Sequence, residues 1–162
     1  MKTKQFLYLF LFSALVSCKN GTPKKSIETA EPQFTKEAEL FFVKSEGDTL
    51  EMHFDIELAK TEFEQTTGLM YRKSMKANRG MLFIYENERP RGGFYMKNTY
   101  ISLDLIYIDA EQKIVDFKQN TEPFNENPVP SSAPAQYVLE VNAGTVAKLG
   151  LKIGDKVVFK GV

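Results

Sequence analysis

A chain of 162 residues with 21 basic and 21 acidic side chains has no net charge to draw it to nucleic acid, and no basic cluster interleaved with aromatics makes up for that locally. Its one cysteine, Cys18, and one histidine, His53, exclude an intramolecular disulfide and a histidine/cysteine metal set. No cofactor is implied.

At the start, Lys2 and Lys4 precede an apolar run, Phe6 to Val16, of signal-peptide length and too short to span a bilayer comfortably. The run ends in Leu15-Val16-Ser17-Cys18, which resembles the lipobox of bacterial lipoproteins. Residues 1–17 therefore read as a lipoprotein signal peptide, with Cys18 as the lipidated mature N-terminus. The expected address is a bacterial cell-envelope membrane, periplasm-facing or at the surface, with the lipid on Cys18 as the membrane contact. Acyl chains contribute about 0.8 kcal/mol per buried methylene, so several on one cysteine anchor a domain durably.

Residues 18–39 hold two prolines and, as large apolar residues, only Ile27 and Phe34, too little to offset ordering entropy. The segment reads as a flexible tether, and residues 40–162 as a single globular domain. From Thr49 to Ala59, Leu50, Met52, Phe54, Ile56 and Leu58 alternate with Glu51, His53, Asp55 and Glu57, the pattern of a strand with one wet face. Thr61 and Glu64 form a capping box for a short helix that stops near Gly68. Met81 to Tyr85 is an uninterrupted apolar run of strand length, predicted to be buried on both faces.

Gly92 and Gly93 open the next segment, Phe94 to Thr99, and a strand is expected over Ile101–Ile108. Asp109 to Gln112 reads as a hairpin loop into Lys113–Lys118. Residues 119–135 carry four of the seven prolines and so form a loop, since proline withdraws ladder donors. A strand over Gln136–Val141, one or two helical turns over Ala143–Leu149 ended by Gly150, and a closing strand over Asp155–Lys160 complete the chain. Many short strands and two short helices predict an α+β fold, predominantly antiparallel β, with closure into a small barrel as one arrangement of it.

Gly68-Leu69-Met70-Tyr71-Arg72, Gly80-Met81-Leu82-Phe83, Phe94-Tyr95-Met96-Lys97-Asn98-Thr99 with Leu103-Asp104, Tyr137 to Val141 with Ala143-Gly144, and Gly154-Asp155 together resemble domain-of-unknown-function family 192, over about Asp48 to Phe159. The chain departs from the family's usual pattern at Tyr95, commonly tryptophan, and at Ile101-Ser102, commonly isoleucine-proline. The resemblance implies a compact, mostly β fold, often behind a signal or lipoprotein leader, and implies no activity.

Asp104 interrupts an apolar strand, and a buried carboxylate needs a partner; Lys97, Arg72 and Arg79 are the candidates. In the functional reading, Arg72 and Lys97 hold a small polar or anionic ligand while Asn98 and Asp104 orient it. In the structural one, Asn98 caps a turn and Asp104 accepts backbone hydrogen bonds. Glu140 reads as an outward residue of its strand, or as an acid paired with Asp104 in a glycan hydrolase. A third reading makes the domain a protein-docking module, with Phe124 of the proline-rich loop set against another envelope component. With no catalytic constellation evident, the leading expectation is a non-catalytic binding or accessory domain anchored at the envelope.

Overall fold

The computed structural model describes residues 31–45 and 49–162, with the side chains of 49–52 outside the description. The signal peptide and Cys18 lie outside the described residues. Seven strands and two short helices follow in the order β1 (Ala38–Val43), β2 (Thr49–Ala59), α1 (Glu62–Thr67), β3 (Arg79–Pro90), β4 (Leu103–Ile108), β5 (Ile114–Lys118), β6 (Pro134–Asn142), α2 (Thr145–Leu149) and β7 (Lys156–Lys160). They form one sheet in the order β5-β4-β6-β3-β2-β1-β7. Every pairing is antiparallel except β2 with β3, which run parallel because α1 and the following loop carry the chain back across.

The sheet curls into a half-barrel. The Ile114 N–H donates to the Asp155 carbonyl (2.9 Å) and the Gly154 N–H to that of Ile114 (2.8 Å), and a bridge pairs Lys113 with Lys156. The β5 and β7 ends of the strand order therefore meet at one corner. All seven strands contribute to the core inside the curl, among them Leu40, Phe54, Leu82, Ile106, Ile114, Leu139 and Val157, with Val146 of α2 added. The opposite face of the adjacent strands β4, β6 and β3 carries a second core, with Met81 and Phe83 of β3, Leu103, Leu105 and Tyr107 of β4 and Val138 of β6 beneath Leu69, Phe94 and Met96. This is why Met81-Leu82-Phe83 and all of β4 are buried on both sides.

The helix start follows its sequence signal. Thr61 Oγ1 accepts from the Glu64 N–H (3.3 Å), Glu64 Oε2 accepts from the Thr61 N–H (2.9 Å), and α1 ends at Gly68. Two features differ from expectation. The predicted tether reaches too far, because residues 31–37 lie against the domain. The Arg79 guanidinium sits 4.0 Å above the Phe34 ring, Glu31 accepts the Lys73 N–H, and Glu37 accepts the Leu58 N–H. Polar side chains anchor this segment, which is why counting apolar residues did not find it. Glu57 is likewise not on a wet face. It is buried, with Oε2 2.6 Å from the Arg72 guanidinium and Oε1 accepting the Thr35 N–H.

Candidate functional site

The four residues expected to form a ligand site are spread over separate tasks. Asp104 is fully buried, and both of its oxygens accept backbone N–H groups, from Asn120 (2.9 Å) and Val146 (2.9 Å). Val146 lies in the first turn of α2, whose N-cap is Gly144 with no side chain to cap it, so Asp104 supplies that acceptor from the neighbouring strand. None of the cations proposed as its partner is used. Arg72 is paired with Glu57 and lines a separate hollow of about 290 Å³ with Phe34 and Arg79. Lys97 is 49 % exposed and stands 3.8 Å from Glu126. Asn98 takes a left-handed backbone (φ 53°), its carbonyl accepts the Tyr71 N–H, and its side-chain amide donates to the Tyr71 hydroxyl.

The main cavity lies elsewhere, on the second-core face, with a volume of about 500 Å³. That falls in the range of small-molecule sites. Glu62, Gln65, Thr66 and Thr67 of α1 and the turn Gly68-Leu69-Met70 form one side, and Phe83, Tyr85 and Arg89 of β3 form another. The segment Pro90 to Tyr95, with Thr99, closes it, and Glu140 projects from β6. Gln65 fixes α1 over β3 by donating from Nε2 to the Ile84 carbonyl (2.7 Å). Gly68 permits the close approach beneath. Its backbone (φ 47°, ψ −132°) suits glycine, and a Cβ there would stand 3.0 Å from Phe83 and 3.9 Å from Glu140 Oε2. The aromatic wall is an edge-to-face chain, Phe83 to Phe94 at 5.1 Å and Phe94 to Tyr107 at 6.0 Å.

Glu140 was expected to face solvent. It is 5 % exposed, because β6 lies between β3 and β4, with Met81 and Leu105 as its direct cross-strand neighbours. Among the described residues it has no hydrogen-bond or ion-pair partner, and burial alone pushes its carboxyl up to about 8. The hydrolase reading loses its geometry on the same register. Asp104 pairs with Val141 and Leu105 with Glu140, so the two carboxylates point to opposite faces of the sheet.

Arg91 is the second residue that sequence reasoning missed. It is 4 % exposed and lies with its guanidinium 3.8 Å above the Tyr85 ring. Nε donates to the Ala135 carbonyl and Nη2 to that of Asn87, while burial lowers its pKa from the ordinary value. Tyr85 is raised, chiefly by burial, with Arg91 opposing and Glu140 adding to the shift. A charged residue directly before Gly92-Gly93 is a weak signal, and only the loop's pairing with residues 129–131 turns Arg91 inward.

Residues 42–159 match the family model DUF192, described as "Uncharacterized ACR, COG1430". A UPF0127 protein of Thermococcus sibiricus is 29 % identical over 103 residues, 63 % of this chain and 64 % of that protein. UPF0127 protein TK1120 of Thermococcus kodakarensis is 29 % identical over 104 residues, 64 % of this chain and 63 % of its own length. The chain thus spans somewhat under two thirds of those relatives. Among solved structures, R01717 of Sinorhizobium meliloti 1021, proposed by name to be a transcription regulator, is similar with a TM-score of 0.73 and 34 % identity, covering 81 % of this chain and all of that one. A protein of unknown function from Novosphingobium aromaticivorans is similar at 0.66 and 34 % identity, over 74 % of this chain and 83 % of that one. With the family model spanning most of the chain and the same fold in both solved structures, this protein belongs to the DUF192 family.

Proposed function

We propose that this chain is a non-catalytic binding domain of the bacterial cell envelope, which takes a small polar ligand in the cavity between α1, β3 and β6. One observation carries the reading. Glu140 presents a buried carboxyl with no partner among the described residues to an aromatic-walled cavity of about 500 Å³. An unpaired buried polar group costs the fold stability, and a ligand that hydrogen-bonds it recovers that cost on binding. Tyr85 and Tyr107, whose charges act on or are acted on by Glu140, are themselves raised by burial, Tyr107 with added repulsion from Glu140.

A thermal-shift screen of sugars, anions, amino acids and cell-wall fragments on the full chain tests the reading, since a ligand at 100 times its dissociation constant stabilises by about 2.7 kcal/mol. Glu140→Gln is the control, because it removes the carboxyl on which the reading rests and keeps the side chain's size. A stabilising ligand that Glu140→Gln still binds as tightly refutes the site.

The envelope part of the reading rests on the leader alone. Cys18→Ser should move the protein from the membrane to the soluble fraction, and continued membrane partitioning of that variant would refute lipid anchoring. A docking role is the second reading. It is favoured by Tyr100 and Phe124, which stand edge to face at 4.9 Å and are about half exposed, with Phe124 held in a left-handed backbone (φ 62°).

A further inference from the structure

We propose that the cavity's ligand is a zwitterion carrying an ammonium and a carboxylate, as amino acids and short peptides do, with the ammonium on Glu140 and the carboxylate on Arg91. The inference rests on the binding reading above and names the chemistry of that site. Two buried groups of opposite formal charge line the same cavity, and among the described residues neither has an oppositely charged protein partner. They do not pair with each other.

Arg91 commits Nε and Nη2 to the Ala135 and Asn87 carbonyls, which fixes the guanidinium plane. Three of its five N–H groups remain without a partner among the described residues. Arg89, exposed on the rim of the same cavity, adds a second positive charge on that side. A carboxylate therefore has a preset receptor at the Arg91 end and none at the Glu140 end, where it would meet another acid. The reverse holds for an ammonium, which would be repelled by Arg91 and Arg89 and attracted by Glu140. A simple cation is opposed at the Arg91 end, and a simple anion leaves the Glu140 carboxyl without a partner. A neutral polyol hydrogen-bonds both ends and leaves the Arg91 charge uncompensated.

Between the charged ends, Phe83 and Phe94 offer an apolar wall for a side chain or methylene spacer. Gly92 and Gly93 keep the facing strip of backbone free of side-chain bulk. Binding also has a proton signature. Burial keeps the Glu140 carboxyl mostly protonated at pH 7 in the empty cavity, and an arriving ammonium favours its ionised form. The proton passes to the buffer, about nine-tenths of one per site for a group titrating near 8. Tyr85 and Tyr107, the other titratable groups facing Glu140, are raised by burial and keep theirs.

Isothermal titration of the full chain at pH 7, in two buffers of different ionisation enthalpy, tests the proposal. The probes are L-leucine, 4-aminobutanoate and the dipeptide Leu-Gly. Their one-ended analogues 3-methylbutan-1-amine and 4-methylpentanoate, with glucose as the neutral probe, complete the set. At least one zwitterion is expected to bind ten-fold or more tightly than both one-ended analogues, with proton release. Glu140→Gln is expected to weaken that zwitterion at least ten-fold and abolish the release, while the weak binding of 4-methylpentanoate is kept. Arg89→Gln reads the rim contribution without disturbing the buried side chain. Equal affinity for zwitterion and amine, or zwitterion binding with no proton release, overturns the proposal. Tight binding of glucose alone overturns it and leaves the binding reading standing, and no binding by any probe overturns it and leaves the binding reading to the wider screen.

Discussion

Glu140→Gln should make the protein more stable at neutral and alkaline pH, by an amount that grows with pH. The carboxyl titrates at 4.5 in a solvated chain and at about 8 in the fold, because burial disfavours its charged form. Between those values the folded protein holds a proton that the unfolded chain has released. Unfolding then releases a proton, so stability falls as pH rises through the window. At about 1.4 kcal/mol per decade, the full effect is about 5 kcal/mol above pH 9, about 3 kcal/mol at pH 7 and under about 1 kcal/mol at pH 5. Glutamine keeps the size and polarity of the protonated acid and cannot ionise. Urea titrations of wild type and variant at pH 5, 7 and 9 should therefore separate by about 4 kcal/mol more at pH 9 than at pH 5. Carboxylates held low in the fold, such as Glu64 with the Thr61 and Lys60 N–H groups bonded to it, act in the opposite sense. They lend stability above their unfolded value and lose it as pH falls, equally in both proteins, so they cancel in the difference. A gap between the two proteins that does not change with pH would refute the burial argument and, with it, the site.

Arg72→Met should destabilise by about 3–5 kcal/mol in a denaturant titration, since it leaves the buried Glu57 carboxylate without its cation. Lys97→Met in the same assay should stay within about 1 kcal/mol of wild type, as its partner Glu126 is exposed and distant. A large loss there would mean that Lys97 supports a buried acid after all. Asp104→Asn replaces one of the two oxygens that accept the Asn120 and Val146 N–H groups and should cost about 2 kcal/mol. Faster amide exchange at Val146 is the local readout, and an unchanged exchange rate would contradict the cap assigned to Asp104.

Much of the local structure is legible in the residues themselves. The alternation of Phe54, Ile56 and Leu58 makes β2, the Thr61–Glu64 box starts α1, Gly68 ends it, and prolines between 119 and 135 keep that stretch out of the sheet until β6 opens at Pro134. Each is a property of a few neighbouring positions, decided by side-chain periodicity or by a missing backbone donor. The site is not of that kind. Alternation orders the faces within one strand only; that Glu140 and Asp104 point to opposite faces, and that both faces are covered, depends on β6 lying in register between β3 and β4, whose sequences are far from it in the chain. The same pairing turns Asp104 toward α2 as its cap and leaves Glu140 over a cavity, while contact with residues 129–135 brings Arg91 to that cavity's side. A lone carboxylate in an apolar strand shows from sequence that a cost is incurred. Which atoms offset it, or whether a ligand must, is fixed only when distant strands come into register, because burial and pairing are properties of the neighbours that the fold supplies.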